Sequence, residues 1–139
     1  MTSCLLDVNA LIALIDPTHV HHERAHQWFL ADGSQDWITV PITENGVVRI
    51  VSHPNYSNSQ PVHVAMSSLR SVCAVGGHRF EPDAVSLLDV EAPILSSNQV
   101  TDAYLVALSR SLGARLATFD RKIVTSTVRG VGGAVLLIT

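Results

Sequence analysis

The chain has 139 residues, is 47% apolar and 15% charged, and carries a formal charge of -3 at pH 7. That size and composition exclude a disordered chain and predict one domain over residues 1–139, with a core of Leu, Val, Ile and Ala because aromatics make up only 5%. The slight negative charge excludes a nucleic-acid binder that works by a basic surface alone. Any contact with a polyanion needs local arginines or bound cations.

Cys4 and Cys73 are far apart and form no CxxC, so they give neither a zinc motif nor a disulfide framework. Two buried thiols in a reducing compartment are expected. The opening run MTSCLLDVNALIALI has no basic leader, and Asp7 and Asn9 interrupt it. No stretch approaches the ~20 apolar residues of a membrane helix, so a soluble cytoplasmic protein is expected.

In chain order, Ser3 to Leu6 is a short apolar run that predicts a buried strand. Ala10 to Ile15 predicts a short helix, stopped by Asp16-Pro17, and His19 to Leu30 a second helix with Val20, Ala25, Trp28 and Phe29 at helical spacing. Trp37 to Val40 predicts a strand. Thr43 to Val51 follows as a helix with Thr43 as N-cap, closed by His53-Pro54-Asn55. Val62 to Ala74 predicts a helix, His78 to Phe80 a strand, and Asp83 to Leu88 a short helix. Gln99 to Leu112 is a helix with Gly113 as its stop. Arg115 to Thr118 predicts a strand, Arg121 to Val124 a helical turn, and Ala134 to Ile138 the last strand, with Gly130, Gly132 and Gly133 as the turn before it.

Strands and helices alternate, and the strands are apolar without clean alternation. The expected architecture is a three-layer α/β sandwich around a parallel sheet of about five strands, buried on both faces. In such a sheet all strands end on one edge, each following helix starts there, and ligand sites lie there. Asp7 closes the first strand. Glu44 and Asp102 fall in the first turns of two helices, and Asp120 follows the strand ending at Thr118. All four acids are predicted on that edge, whereas Asp36 precedes its strand and belongs to the opposite one.

Four gathered carboxylates repel, and divalent cations relieve the repulsion. Hard oxygen donors favour Mg²⁺ or Mn²⁺, one or two ions of which activate a water and stabilise the leaving oxygen of a phosphodiester. Taken singly, Asp7 also reads as a helix cap, Glu44 and Asp102 as first-turn acids favoured by the helix dipole, and Asp120 as a turn residue. Glu81 and Asp83 reach the same edge and are left out, because Pro82 predicts that Asp83 begins a helix.

The stretches LLDVNALIALID, ITENGVVRIVSHP and VTDAYLVALSRSLGARLATFDRKI resemble the PIN-domain ribonucleases, specifically the VapC-type toxins of bacterial type II toxin–antitoxin pairs. The resemblance covers nearly the whole chain. It implies a PIN-like fold, Mg²⁺- or Mn²⁺-dependent endonucleolytic cleavage of RNA, a homodimer, and neutralisation by a small antitoxin. The family's acidic quartet carries onto Asp7, Glu44, Asp102 and Asp120. The polar residue two after the first acid becomes Asn9, where the family often has Thr or Ser, and Thr118 would orient a carboxylate. Arg49, Arg110, Arg121 and Lys122 are candidate phosphate contacts, each of which also reads as a solvated surface charge.

The remaining features have plainer readings. His19, His21, His22 and His26 form a dense patch, with His22 and His26 at a spacing that can bind a metal, but no third ligand stands at a diagnostic spacing and an exposed polar helix face is the preferred reading. Trp28 and Phe29 read as core or dimer contacts, and His53 as turn chemistry. Two rival functions stay open. One is a catalytically silent binding module on the same fold. The other is a phosphatase with Asp7 as nucleophile, disfavoured because Asn9 stands where a second Asp is needed.

Overall fold

A computed structural model describes residues 3–91, 96–124 and 133–139. The strands are β1 (Ser3–Leu6), β2 (Trp37–Thr39), β3 (His78–Phe80), β4 (Ala114–Thr118) and β5 (Val135–Leu137). The helices are α1 (Val8–Ile15), α2 (His22–Ala31), α3 (Pro41–Val51), α4 (Val62–Cys73), α5 (Val100–Ser111) and α6 (Arg121–Val124). The strands form one sheet in the order β3-β2-β1-β4-β5, and all four pairings are parallel.

That order explains the layers. The chain winds from β1 through β2 to β3 in one direction, then crosses back over β1 to β4 and β5. Right-handed crossovers put helices of the two halves on opposite faces. Leu5 and Leu6 are successive strand residues, so they point to opposite faces. Leu5 joins Ile38, Tyr104, Leu105, Leu108 and Leu116 in the core under α5. Leu6 joins Leu11, Phe29, Trp37, Val47 and Leu69 in the core under α1 to α4. The Phe29 ring meets the Trp37 ring edge-on at 5.1 Å, and Trp28 lies over Gly33, where a Cβ would sit 2.5 Å from the indole.

Three local readings change. Helix α3 starts at Pro41, not Thr43, because Pro at the first position has the right φ and no N–H to satisfy. Thr43 works from inside the helix: its hydroxyl accepts the Val40 N–H at 3.3 Å and donates to the Val40 carbonyl at 3.0 Å. Helix α2 starts at His22, not His19, since the Asp16 carboxylate draws the Thr18 N–H and hydroxyl into a turn at 2.9 and 2.8 Å. Asp83 begins no helix. It accepts the free Ile42 N–H at the start of α3, 3.1 Å away, and the chain instead makes a 3-10 turn at Leu87–Asp89.

Among the described residues, two glycines have positive φ. Gly113 (φ 66°) ends α5. Gly77 (φ 90°) precedes β3, and a Cβ there would lie 1.9 Å from the Ser34 carbonyl oxygen. Of the proposed glycine turn, Gly130 and Gly132 lie outside the described residues. No helix among the described residues is long and apolar enough to cross a membrane.

Candidate active site

The reversal of winding direction falls between β1 and β4, the switch point where open α/β sheets form their clefts. Asp7 stands at that point. It is the N-cap of α1, and its Oδ1 accepts the Ala10 N–H at 2.7 Å. Its Oδ2 accepts the Thr118 hydroxyl from the end of β4 at 2.5 Å. The Thr118 oxygen in turn accepts the Asp120 N–H at 3.0 Å, and Asp120 Oδ1 accepts the Lys122 N–H at 2.8 Å. One buried threonine thus ties two of the acids together.

Asp7 is only 4% exposed. Burial pushes its carboxyl up to about 6, the bonds from Thr118 and Ala10 oppose the rise, and the charges of Asp102 and Asp120 add to it. Asp102 lies in the first turn of α5 and is also raised, by burial first and then by Asp120. Three of the four expected acids therefore act on one another across the end of the β1–β4 ladder. Asp7 caps α1 and feels the charges of Asp102 and Asp120. Asn9 is exposed in the first turn of α1 beside it.

Glu44 is placed differently. It is half-buried in the first turn of α3, and its Oε2 accepts the Thr39 hydroxyl at 2.7 Å. The same hydroxyl lies 2.8 Å from His78 Nε2. The charge of Glu44 acts on Cys73 and His78: burial raises the Cys73 thiol and Glu44 raises it further, whereas burial lowers His78 and Glu44 opposes this. The two acids left out are used elsewhere, Asp83 on α3 and Glu81 in an ion pair with Arg79 at 3.4 Å. Asp36 bonds Ser3 and Arg79 at the opposite edge.

Among the cations, Arg49 is exposed on α3 and lines the cavity beside Glu44. Arg121 and Lys122 are exposed one and two residues after Asp120. Arg110 is at the other end of α5 from Asp102, roughly 12 Å along the axis at 1.5 Å per residue.

The histidines are not a simple exposed face. His22 Nδ1 donates to the Ala13 carbonyl at 2.7 Å and His26 Nε2 to the Leu14 carbonyl at 2.9 Å. Both carbonyls belong to the last turn of α1, where intrahelical partners run out. The spacing that suggested a metal serves to fasten α2 to the end of α1. His21 stacks on Phe119 at 4.5 Å, and His53 Nδ1 accepts the Asn55 N–H at 3.0 Å, as turn chemistry predicts.

The PIN domain profile matches residues 4–125, a span that holds all four acids. The chain belongs to the PIN-domain family. Within it, this PIN domain is 45% identical to ribonuclease VapC38 of Mycobacterium tuberculosis over 126 residues, 87% of each chain. It is 40% identical to ribonuclease VapC39 of the same organism over 134 residues, 93% of this chain and 96% of the relative. Among solved structures it is similar to M. tuberculosis VapC20, described as a toxin that cleaves the sarcin-ricin loop. The TM-score is 0.62 over 88% of this chain and 93% of that one, at 13% identity, a likeness of fold. The three-layer parallel sandwich of the PIN domain is the architecture its sequence predicts.

The grouping of Thr39, Cys73 and His78 around Glu44 was not legible beforehand. These residues come from β2, α4 and β3, and no sequence spacing marks them. Only the β2–β3 register, which pairs Trp37 with His78 and Thr39 with Phe80, brings the strands together.

Proposed function

We propose that this chain is a Mg²⁺- or Mn²⁺-dependent endoribonuclease, the toxin of a toxin–antitoxin pair, with residues 1–139 acting as one cytoplasmic domain. The observation that carries the reading is the buried Asp7 carboxylate, braced by Thr118 and coupled to Asp102 and Asp120. The names of the VapC relatives, at 40–45% identity over most of the chain, support the choice of RNA as substrate.

The donor set of the aspartates is oxygen only and mutually repelling, which fits hard divalent ions. Asp7, Asp102 and Asp120 would hold one or two of them, with Glu44 as the fourth carboxylate. A bound ion supplies charge stabilisation to the phosphate and acidifies the attacking water. The rest falls to the chain itself. Thr118 and the Ala10 N–H fix the Asp7 carboxylate in one orientation, so little is lost in reorganisation when substrate arrives. Asn9, exposed at the rim, offers its amide to a phosphate oxygen or a water. Arg49, Arg121 and Lys122, with Arg110 further out, steer the RNA backbone toward an otherwise acidic cleft. A small antitoxin covers that cleft, and a second copy of the chain completes a homodimer.

The test is to incubate the purified chain with transfer, ribosomal and messenger RNAs in Mg²⁺, in Mn²⁺ and in EDTA. Cleavage should occur only with metal and disappear in Asp7→Asn and Asp102→Asn. Cleavage that survives EDTA or both substitutions overturns the reading. A chain that binds RNA but cuts none of it is a silent binding module.

A further inference from the structure

We propose that Glu44, Cys73 and His78 form a zinc site, separate from the aspartates and chemically unlike them. One ligand atom from each of the three lies within 4.8 Å of the others. They come from three elements, the first turn of α3, the last residue of α4 and the first residue of β3. All three are half-buried.

Their polar atoms converge on one point, the hydroxyl of Thr39, which is 0% exposed and lies 2.7 Å from Glu44 Oε2 and 2.8 Å from His78 Nε2. The His78 ring is also held from behind by Trp37, with ring centroids 4.6 Å apart. A hydroxyl has one proton to give, so it binds the carboxylate and satisfies the other groups only as an acceptor. An ion replaces that shared hydroxyl with direct bonds to all three donors.

The donor chemistry selects the metal. A thiolate, an imidazole and a carboxylate are the ligand types of zinc, while a thiolate is a poor partner for Mg²⁺. Bonds of about 2.0–2.3 Å place tetrahedral donors roughly 3.5 Å apart, so the side chains must close by about 1 Å. Rotation about the side-chain torsions of Glu44 and Cys73 supplies that movement. The Cys73 thiol releases its proton to solvent as the metal–sulfur bond forms.

The fourth position faces a cavity of about 710 Å³ lined by Glu44, Arg49, Met66, Arg70, Cys73 and His78. Three protein ligands with an open fourth position leave room for a water or an exogenous donor. Because Glu44 is common to both groups, an ion here holds it apart from the aspartates. Zinc then acts as an inhibitor of the cleavage proposed above. This consequence rests on that reading, whereas the site itself does not.

Cobalt tests the site without RNA. The full-length protein is stripped with chelator, returned to buffer containing Mg²⁺ to occupy the aspartates, and titrated with Co²⁺. One equivalent should give tetrahedral visible bands and a thiolate-to-cobalt charge-transfer band, both bleached by Zn²⁺. The charge-transfer band should be lost in Cys73→Ser and kept in Cys4→Ser, and His78→Gln should weaken Co²⁺ binding at least ~10-fold. An octahedral spectrum without the charge-transfer band, or a band that survives Cys73→Ser, overturns the proposal. Alkylation gives a measurement on the unsubstituted chain. Zn²⁺ should protect Cys73 from iodoacetamide where Mg²⁺ does not, and equal labelling overturns the site. Zn²⁺ should also slow RNA cleavage by the wild type and spare Cys73→Ser, and equal inhibition of both overturns the regulatory consequence alone.

Discussion

The Thr118 hydroxyl donates to Asp7 and accepts from the Asp120 backbone, so one side chain 111 residues away in sequence sets the orientation of a buried acid. Replacing it with valine keeps the volume and removes both bonds. The Asp120 N–H then loses its acceptor and Asp7 its strongest opposing influence against burial. Thr118→Val should lower metal affinity and RNA cleavage by about 10- to 100-fold. Stability should fall by about 1–3 kcal/mol. Mn²⁺ titration of wild type and variant, beside denaturant unfolding, separates the two effects.

Asp7 makes stability depend on pH in a defined direction. Its folded value of about 6 lies above the ordinary 3.8, so between those values the native state holds a proton that the unfolded chain has released. The penalty is absent below pH 4, grows as pH rises, and is complete above pH 6. Asp7→Asn removes it. In EDTA the variant should therefore gain stability relative to wild type from pH 4 to pH 6.5, by of order 1–3 kcal/mol at the plateau. Mg²⁺ should stabilise the wild type and not the variant. Thermal melts at matched pH check both, and a variant advantage that shrinks as pH rises contradicts the assignment.

His22 and His26 fasten α2 to the end of α1 through carbonyls that have no intrahelical partner. His22→Ala and His26→Ala should each cost about 0.5–1.5 kcal/mol, and metal-dependent cleavage by the folded fraction should be unchanged. Urea unfolding with a cleavage assay at low denaturant distinguishes an anchor from a catalytic role.

Gly77 combines a φ of 90° with a neighbouring carbonyl oxygen 1.9 Å from where a Cβ would sit. Its own carbonyl accepts the Trp37 N–H at 3.0 Å, linking the entry to β3 with β2. Gly77→Ala should destabilise by more than about 2 kcal/mol. Gly76→Ala, with nothing within 4 Å, should be nearly neutral. Comparing the two midpoints in urea is the check.

Much of this arrangement was legible in the residues. Buried parallel strands leave continuous apolar runs, so Ser3–Leu6 appears at its expected bounds. An acid after such a run must lie at the strand's carboxyl end, which placed Asp7 and Asp120. What was hidden depends on contacts between distant segments. Asp83 had a helix-start signature, yet its carboxylate reaches Ile42 and the local helix is given up. The His22–His26 spacing has the same form whether the rings bind a metal or a helix end, and only the packing of α2 against α1 decides. Glu44 shows the same limit. Its sequence position identifies the edge, while the side chain's direction comes from its bond to Thr39 at the end of β2.

The central position of β1 has a consequence for biosynthesis. Its two neighbours are β2, made soon after it, and β4, made only after α5. A nascent polypeptide therefore carries Asp7 with one backbone edge of β1 unpaired, and without Thr118 or Asp120, until β4 has been made. Premature termination before Ala114 leaves that edge open to aggregation.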